Sequence, residues 1–197
     1  MRWIGIIGLF IMVLGACNST QAPASPIERN PTWAKPVKQD ANLYHVDNLL
    51  YRSEQLVADD VATVKELGIK SVVNLRFFDR DDNEDILMGQ SIHLLNRPLL
   101  TWRIKPEDIA VVLYTIKQQQ QNGAVLVHCY HGADRTGLIV GMYRIIYQGW
   151  SIEAAKNEMQ HGDYGYHSMW KNIDKLFTAD NVAKVKQHLA KLESQTS

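Results

Sequence analysis

The sequence predicts an α/β fold with a central, mostly parallel sheet flanked by helices. Two observations carry that prediction. Short β-branched and apolar runs alternate with longer stretches of helical period, as in strands joined by crossover helices. The apolar run at 124–127 also passes through a glycine-containing loop straight into 136–147, a stretch apolar almost all round. Such a strand–loop–helix puts its loop at the carboxyl end of a strand, where open α/β sheets keep their sites.

The elements follow in order. Residues 1–16 contain one basic residue, Arg2, and then an apolar run from Trp3 to Leu14. That run is short for a bilayer span but suits the core of a signal peptide. Residues 17–32, rich in Pro, Ser, Thr and Asn without an apolar period, read as a tether. Residues 33–197 are long enough for one domain with a real core. Within it, 43–46 and 48–52 read as a strand pair about a short turn. Residues 58–67 set Val61, Val64 and Leu67 on one helical face and stop at Gly68. Residues 71–75 and 91–95 read as strands. Between them 77–89 carries Asp79, Asp81, Asp82, Glu84 and Asp85, and reads as a solvated acidic loop without metal-binding spacing. Residues 106–119 form an amphipathic helix, with Pro106 first, Glu107 and Asp108 in the first turn, and Ile109, Val112, Leu113 and Ile116 on one face. After the buried helix at 136–147, Gly149 marks a stop and Ser151 a cap for a helix to about residue 160. Helices around 168–177 and 181–192 complete a helical C-terminal half.

The chemistry is concentrated in Val127-His128-Cys129-Tyr130-His131-Gly132-Ala133-Asp134-Arg135-Thr136-Gly137. A loop closing onto a helix start aims several backbone N–H groups at one point, which favours an anion. The same field favours the thiolate of Cys129. Gly132 permits a tight turn, and Arg135 offers a planar fork for two phosphate oxygens. Taken singly, Cys129 could be a structural buried thiol. Arg135 near a helix start, however, is a cation where the dipole disfavours one, and so calls for an anionic partner.

The run HCYHGADRTG resembles the signature of the cysteine-dependent protein tyrosine and dual-specificity phosphatases, particularly small bacterial envelope members. The likeness extends from about Trp33 to the last helix, through Leu50-Tyr51-Arg52-Ser53-Glu54-Gln55, Tyr143-Arg144-Ile145 and Gln148-Gly149-Trp150-Ser151. The resemblance implies a two-step phosphomonoester hydrolysis without metal or cofactor. Cys129 attacks phosphorus, Arg135 and the loop amides carry the charge, and water hydrolyses the cysteinyl-phosphate. Tyr130, His131, Gly132, Ala133 and Thr136 would surround the phosphate. His128 would hold the loop and tune the thiolate, and the Thr136 hydroxyl would ease thiolate departure. The sequence departs from the family at the general acid. The usual loop, here residues 96–105, contains no carboxylate. Asp134 ranks first as replacement, resembling the loop aspartate proposed as acid in myotubularin-like and Sac-like phosphatases. Asp108 and then Glu107 follow, although carboxylates in a helix's first turn are expected from the dipole alone. A missing loop acid favours aryl over alkyl phosphates.

Lys plus Arg and Asp plus Glu are 21 each, so no basic field advertises nucleic acid. His131 is the one basic residue in the variable part of the loop and Asp134 is acidic, which fits a monoester better than a densely phosphorylated substrate. The expected partner is a phosphorylated protein or another phosphomonoester, phosphotyrosine above all. Trp102 reads as either an aromatic wall for its ring or core. His161, Asp163, Tyr164, Tyr166, His167 and Trp170 read as packing behind the loop. Two further readings stay open: a pseudophosphatase that binds phosphorylated partners, and a rhodanese-type sulfurtransferase, against which Arg135-Thr136-Gly137 argues. Leu14-Gly15-Ala16-Cys17 resembles a bacterial lipobox. It implies cleavage before Cys17, lipidation of its thiol, and a membrane anchor in the cell envelope, at the outer membrane in a diderm host. The chain has only two cysteines, so Cys129 would then be the sole thiol of the mature domain, with no internal disulfide.

Overall fold

The computed structural model describes residues 29–195; the expected signal peptide, Cys17 and most of the tether lie outside them. Residues Lys35–Lys38 (β1), Leu43–Asp47 (β2), Leu50–Ser53 (β3), Ile69–Asn74 (β4), His93–Asn96 (β5) and Ala124–His128 (β6) form one six-stranded sheet in the order β1-β2-β3-β6-β4-β5. The β1/β2 and β2/β3 pairs are antiparallel, and β3, β6, β4 and β5 run parallel. β6 is buried along its whole length, which is why its sequence is continuously apolar: a central parallel strand is covered on both faces. Its side chains alternate between two cores. Val125 and Val127 join the larger one, and Ala124 and Leu126 the smaller.

Helices α3 (Pro106–Gln119), α4 (Asp134–Tyr147), α5 (Ile152–His161) and α7 (Ala179–Ser194) contribute to the larger core. Helices α1 (Val61–Glu66) and α2 (Asp82–Leu87) contribute Val64 and Leu87 to the smaller. α4 explains its own composition: ten of its residues from Thr136 to Ile145 are buried. The caps fall where expected. Ser151 Oγ accepts from the Ala154 amide at 3.1 Å, and Thr178 Oγ1 from the Asn181 amide at 3.3 Å.

One strand has no counterpart in the sequence reading, and three expectations need correction. β1 was not anticipated, because Lys35-Pro36-Val37-Lys38 is an exposed edge strand with no apolar alternation. The acidic stretch is not wholly loop: residues 82–87 are α2, pinned by buried Asn83 and Leu87. The helix expected over 58–67 begins as a 3-10 turn, Ala58–Asp60, before α1. The helix expected around 168–177 shrinks to Lys171–Asp174 (α6), preceded by a turn in which Trp170 N–H donates to His167 O. Residues 29–32 also belong to the domain surface, since Arg29 donates to Ala34 O at 2.9 Å and to the Tyr164 hydroxyl at 3.0 Å.

Candidate active site

β6 ends at His128, and the chain turns through residues 129–133 into α4, so the predicted strand–loop–helix is present. The loop is shaped by contacts to its carbonyls. His128 Nδ1 bonds Cys129 O at 3.0 Å, and the Gln55 amide donates to Tyr130 O at 3.0 Å. Asn42 Nδ2 donates to His131 O at 2.8 Å, and Arg52 Nη2 to Gly132 O at 2.6 Å. The carbonyls are thus drawn to the outside, and among the described residues the amides of Tyr130, His131, Gly132 and Ala133 donate to no protein acceptor. Successive amides freed in this way form a concave anion site at a helix N-terminus. Gly132 has φ +68°, and a Cβ there would stand 2.6 Å from the backbone of Ser53 and Glu54. Only glycine lets the loop lie this close to β3.

Cys129 is 2% exposed and unpaired at the base of this loop. The Thr136 hydroxyl is buried with no hydrogen-bond partner among the described residues. Arg135 is half-buried, its Nη1 3.4 and 3.5 Å from the carbonyls of Leu75 and Leu99. A cavity of about 390 Å³ opens here. Arg76, Phe77, Phe78 and Asp79 line it from the segment after β4. Tyr130, His131, Asp134 and Arg135 line it from the loop, and Thr101, His167, Met169 and Trp170 complete it.

The structure separates the acid candidates. Asp134 lines the cavity, but both of its oxygens face His167: Oδ1 accepts its amide and Oδ2 meets Nδ1, each at 2.8 Å. Asp108 Oδ2 instead accepts the Lys105 amide at 2.9 Å, and Glu107 pairs with Lys105 Nζ at 3.4 Å. Both lie in the first turn of α3, which Asp108 caps, and neither lines the cavity. Trp102 is exposed and lies outside the lining; the aromatic walls are Phe77, Phe78, Tyr130 and Trp170. His167 and Trp170 face the cavity rather than packing behind the loop, whereas Tyr164 does lie behind it, its ring 3.5 Å from the Arg52 guanidinium.

Three supporting residues were not legible in the sequence. Arg52 is fully buried, and burial pulls its guanidinium below its ordinary value, against the opposing pull of Tyr164, Glu158 and Cys129. A charged residue in an otherwise buried strand was the available signal, since such a charge requires a specific partner. Asn83, hidden in the acidic stretch, meets His128 Nε2 at 2.8 Å and accepts from Gln55 Nε2 at 3.0 Å. Because its oxygen is thus engaged, its amide donates, and His128 carries its proton on Nδ1. Arg76 extends the chain, donating to Gln55 Oε1 at 2.9 Å and pairing with Asp79 and Asp82.

Burial holds His128 down from 6.5 to about 4. The folded protein therefore keeps this ring neutral while the unfolded chain protonates below about 6.5, so stability falls as pH drops from 6.5 towards 4. The full shift corresponds to about 3 kcal/mol. Urea denaturation across that range should show the loss in wild type, and His128→Asn should flatten the slope.

An anion-cradling loop with a buried thiol at its base and an arginine at its mouth, on a mostly parallel α/β scaffold, defines a cysteine-dependent phosphatase. Residues 39–180 match the model of the tyrosine phosphatase family, and the chain belongs to that family. It is 36% identical over 168 residues to the dual specificity protein phosphatase TpbA of Pseudomonas aeruginosa (strain PAO1), covering 84% of this chain and 75% of that one. A crystal structure of a TpbA variant in complex with pTyr superposes with a TM-score of 0.75 at 33% identity, covering 82% of this chain and 98% of that chain. The inositol diphosphatase DSP2 of Oryza sativa subsp. japonica is 29% identical over 134 residues, 61% of each chain.

Proposed function

We propose that this protein hydrolyses phosphotyrosine, and phosphoserine or phosphothreonine more slowly, through a cysteinyl-phosphate on the Cys129–Arg135 loop. The observation that carries the reading is the set of four loop amides, directly after buried Cys129, that have no protein acceptor among the described residues. In the first step a Cys129 Sγ–P bond forms as the P–O bond to the leaving group breaks. In the second, water displaces the thiolate. Charge on the transferring phosphoryl group is met by the amides of residues 130–133 and the Arg135 fork. Thr136 supplies a hydroxyl hydrogen bond to the departing thiolate. Phe77, Phe78, Tyr130 and Trp170 offer apolar walls to a phenyl ring. Within the loop itself His131 is the one basic side chain in the variable part and Asp134 is acidic, which fits a monoester better than a densely phosphorylated ligand. The phosphotyrosine complex of TpbA supports the substrate class. The same proposal places the domain in the bacterial envelope, lipid-anchored through Cys17, on the strength of the small residues before that cysteine.

The test is phosphate release from phosphotyrosine, phosphoserine and phosphothreonine peptides by the purified, reduced protein with a chelator present. The expected result is turnover that the chelator leaves intact, fastest for phosphotyrosine. Binding of phosphopeptide without release would replace the enzyme with a phosphate-binding module.

A further inference from the structure

We propose that His167 is the proton donor to the leaving oxygen and that Asp134 is its positioning residue; this rests on the phosphatase reading above. The family's usual acid position is unfilled here, since 96–105 holds no carboxylate, so the proton must come from another wall of the cavity. Among the lining residues, the groups able to carry it are Asp79, Tyr130, His131, Asp134 and His167.

The hydrogen bonds choose among them. Asp79 is tied to Arg76 Nη2 at 2.8 Å, its side chain largely in solvent. Asp134 is nearly buried, and both its oxygens are already engaged by His167, so delivering a proton itself would break that pair. His167 is fixed at two points, by its amide and by Nδ1, and these contacts leave Nε2 as the unengaged nitrogen of a ring that is 45% exposed and lines the same cavity as Arg135. A carboxylate on one imidazole nitrogen fixes the tautomer and orientation and leaves the other nitrogen for chemistry, as it does in hydrolytic triads. His131, the other imidazole here, lies tilted 5.4 Å away, centroid to centroid, and among the described residues no carboxylate hydrogen-bonds its ring. Among the described residues the Tyr130 hydroxyl has no hydrogen-bond partner; Arg76 lies over its ring and His131 packs edge-on against it.

The proton balance is complete. The S–P bond forms, the P–O bond breaks with its electron pair on the leaving oxygen, and that oxygen takes the Nε2 proton of the doubly protonated ring. The neutral ring then removes a proton from water as it attacks phosphorus and the S–P electron pair returns to Cys129.

The test compares para-nitrophenyl phosphate, whose leaving group needs little protonation, with phenyl phosphate and phosphotyrosine, whose leaving groups need more. In His167→Ala and His167→Gln, kcat/KM is expected to fall about 10²-fold or more for the poorer leaving groups and less than about 10-fold for para-nitrophenyl phosphate. Asp134→Asn should show the same trend more weakly, and free imidazole should restore part of the loss in His167→Ala. An equal loss across all three substrates, no loss, or a leaving-group-dependent loss in Asp79→Asn instead would overturn the assignment. Failure of the phosphatase reading itself would show as a wild type that releases no phosphate from any of them.

Discussion

Cys129→Ser is expected to lower phosphate release by at least about 10³-fold while changing the affinity for inorganic phosphate by less than about threefold. The two effects separate because different atoms produce them. On the proposed mechanism the nucleophile is the Cys129 sulfur, and a serine oxygen in its place is a far weaker nucleophile toward phosphorus. The same proposal gives phosphate affinity to the amides of residues 130–133 and to Arg135, and the loop that carries those amides is held by groups other than the thiol: Arg52 on Gly132 O, Asn42 on His131 O, the Gln55 backbone amide on Tyr130 O. Serine also fits the nearly inaccessible site without adding volume. Arg135→Ala provides the contrast, because it removes a charge-assisted fork and should weaken phosphate binding as well as turnover. Product release measured beside calorimetric titration with phosphate distinguishes the two. A Cys129→Ser variant that still turned over at a tenth of the wild-type rate would place the nucleophile elsewhere.

The parts of this molecule that could be read from sequence are those whose physics is local. The catalytic loop is contiguous from Cys129 to Arg135, the strand before it is a run of buried apolar residues, and the Ser151 cap acts three residues away on the Ala154 amide. What escaped depends on contacts distant in sequence. Arg52 reaches Gly132 across 80 positions and His167 reaches Asp134 across 33, and nothing within either neighbourhood announces the partner. Composition misled at 82–87: Asp82, Glu84 and Asp85 give the stretch a solvated look, yet Asn83 and Leu87 are turned inward, one to His128 and one to the smaller core. Asp108 and Glu107 sit in the first turn of α3 and bond Lys105, a placement that local sequence already gives. The Asp134 carboxylate is the mixed case. Its place in the loop was evident from the spacing, but whether it holds a proton or a histidine depends on the segment after α5.

Glu158→Ala is expected to cost about 3–5 kcal/mol of folding stability, a large share of the ~5–15 kcal/mol available to a domain of this size. Glu158 and Arg144 are both nearly inaccessible, 1% and 4% exposed, and form a bidentate pair with Nε–Oε2 and Nη2–Oε1 each at 2.8 Å. Removing the carboxylate leaves a guanidinium buried without its counter-charge. The loss does not stop there, because Oε1 also accepts from the Ala34 amide at 2.7 Å and the Tyr164 hydroxyl at 3.1 Å. One side chain therefore joins the segment before β1, helix α4, helix α5 and the loop after it. Glu158→Gln, which keeps an acceptor and the shape, should cost less than Glu158→Ala. Arg144→Met combined with Glu158→Met should cost less than the sum of the single changes, since neither charge is then left alone. The damage should also reach the active site while the protein remains folded. Tyr164 lies under the Arg52 guanidinium, and Arg52 holds the Gly132 carbonyl out of the phosphate loop. Tyr164 loses this acceptor in Glu158→Ala and the support loosens, so kcat should fall in Glu158→Ala at temperatures well below its unfolding transition. Urea denaturation gives the stability term, and turnover measured at a temperature where circular dichroism shows full folding gives the second. A folded Glu158→Ala variant with reduced stability but wild-type kcat would confine this cluster to a structural role and uncouple it from the loop.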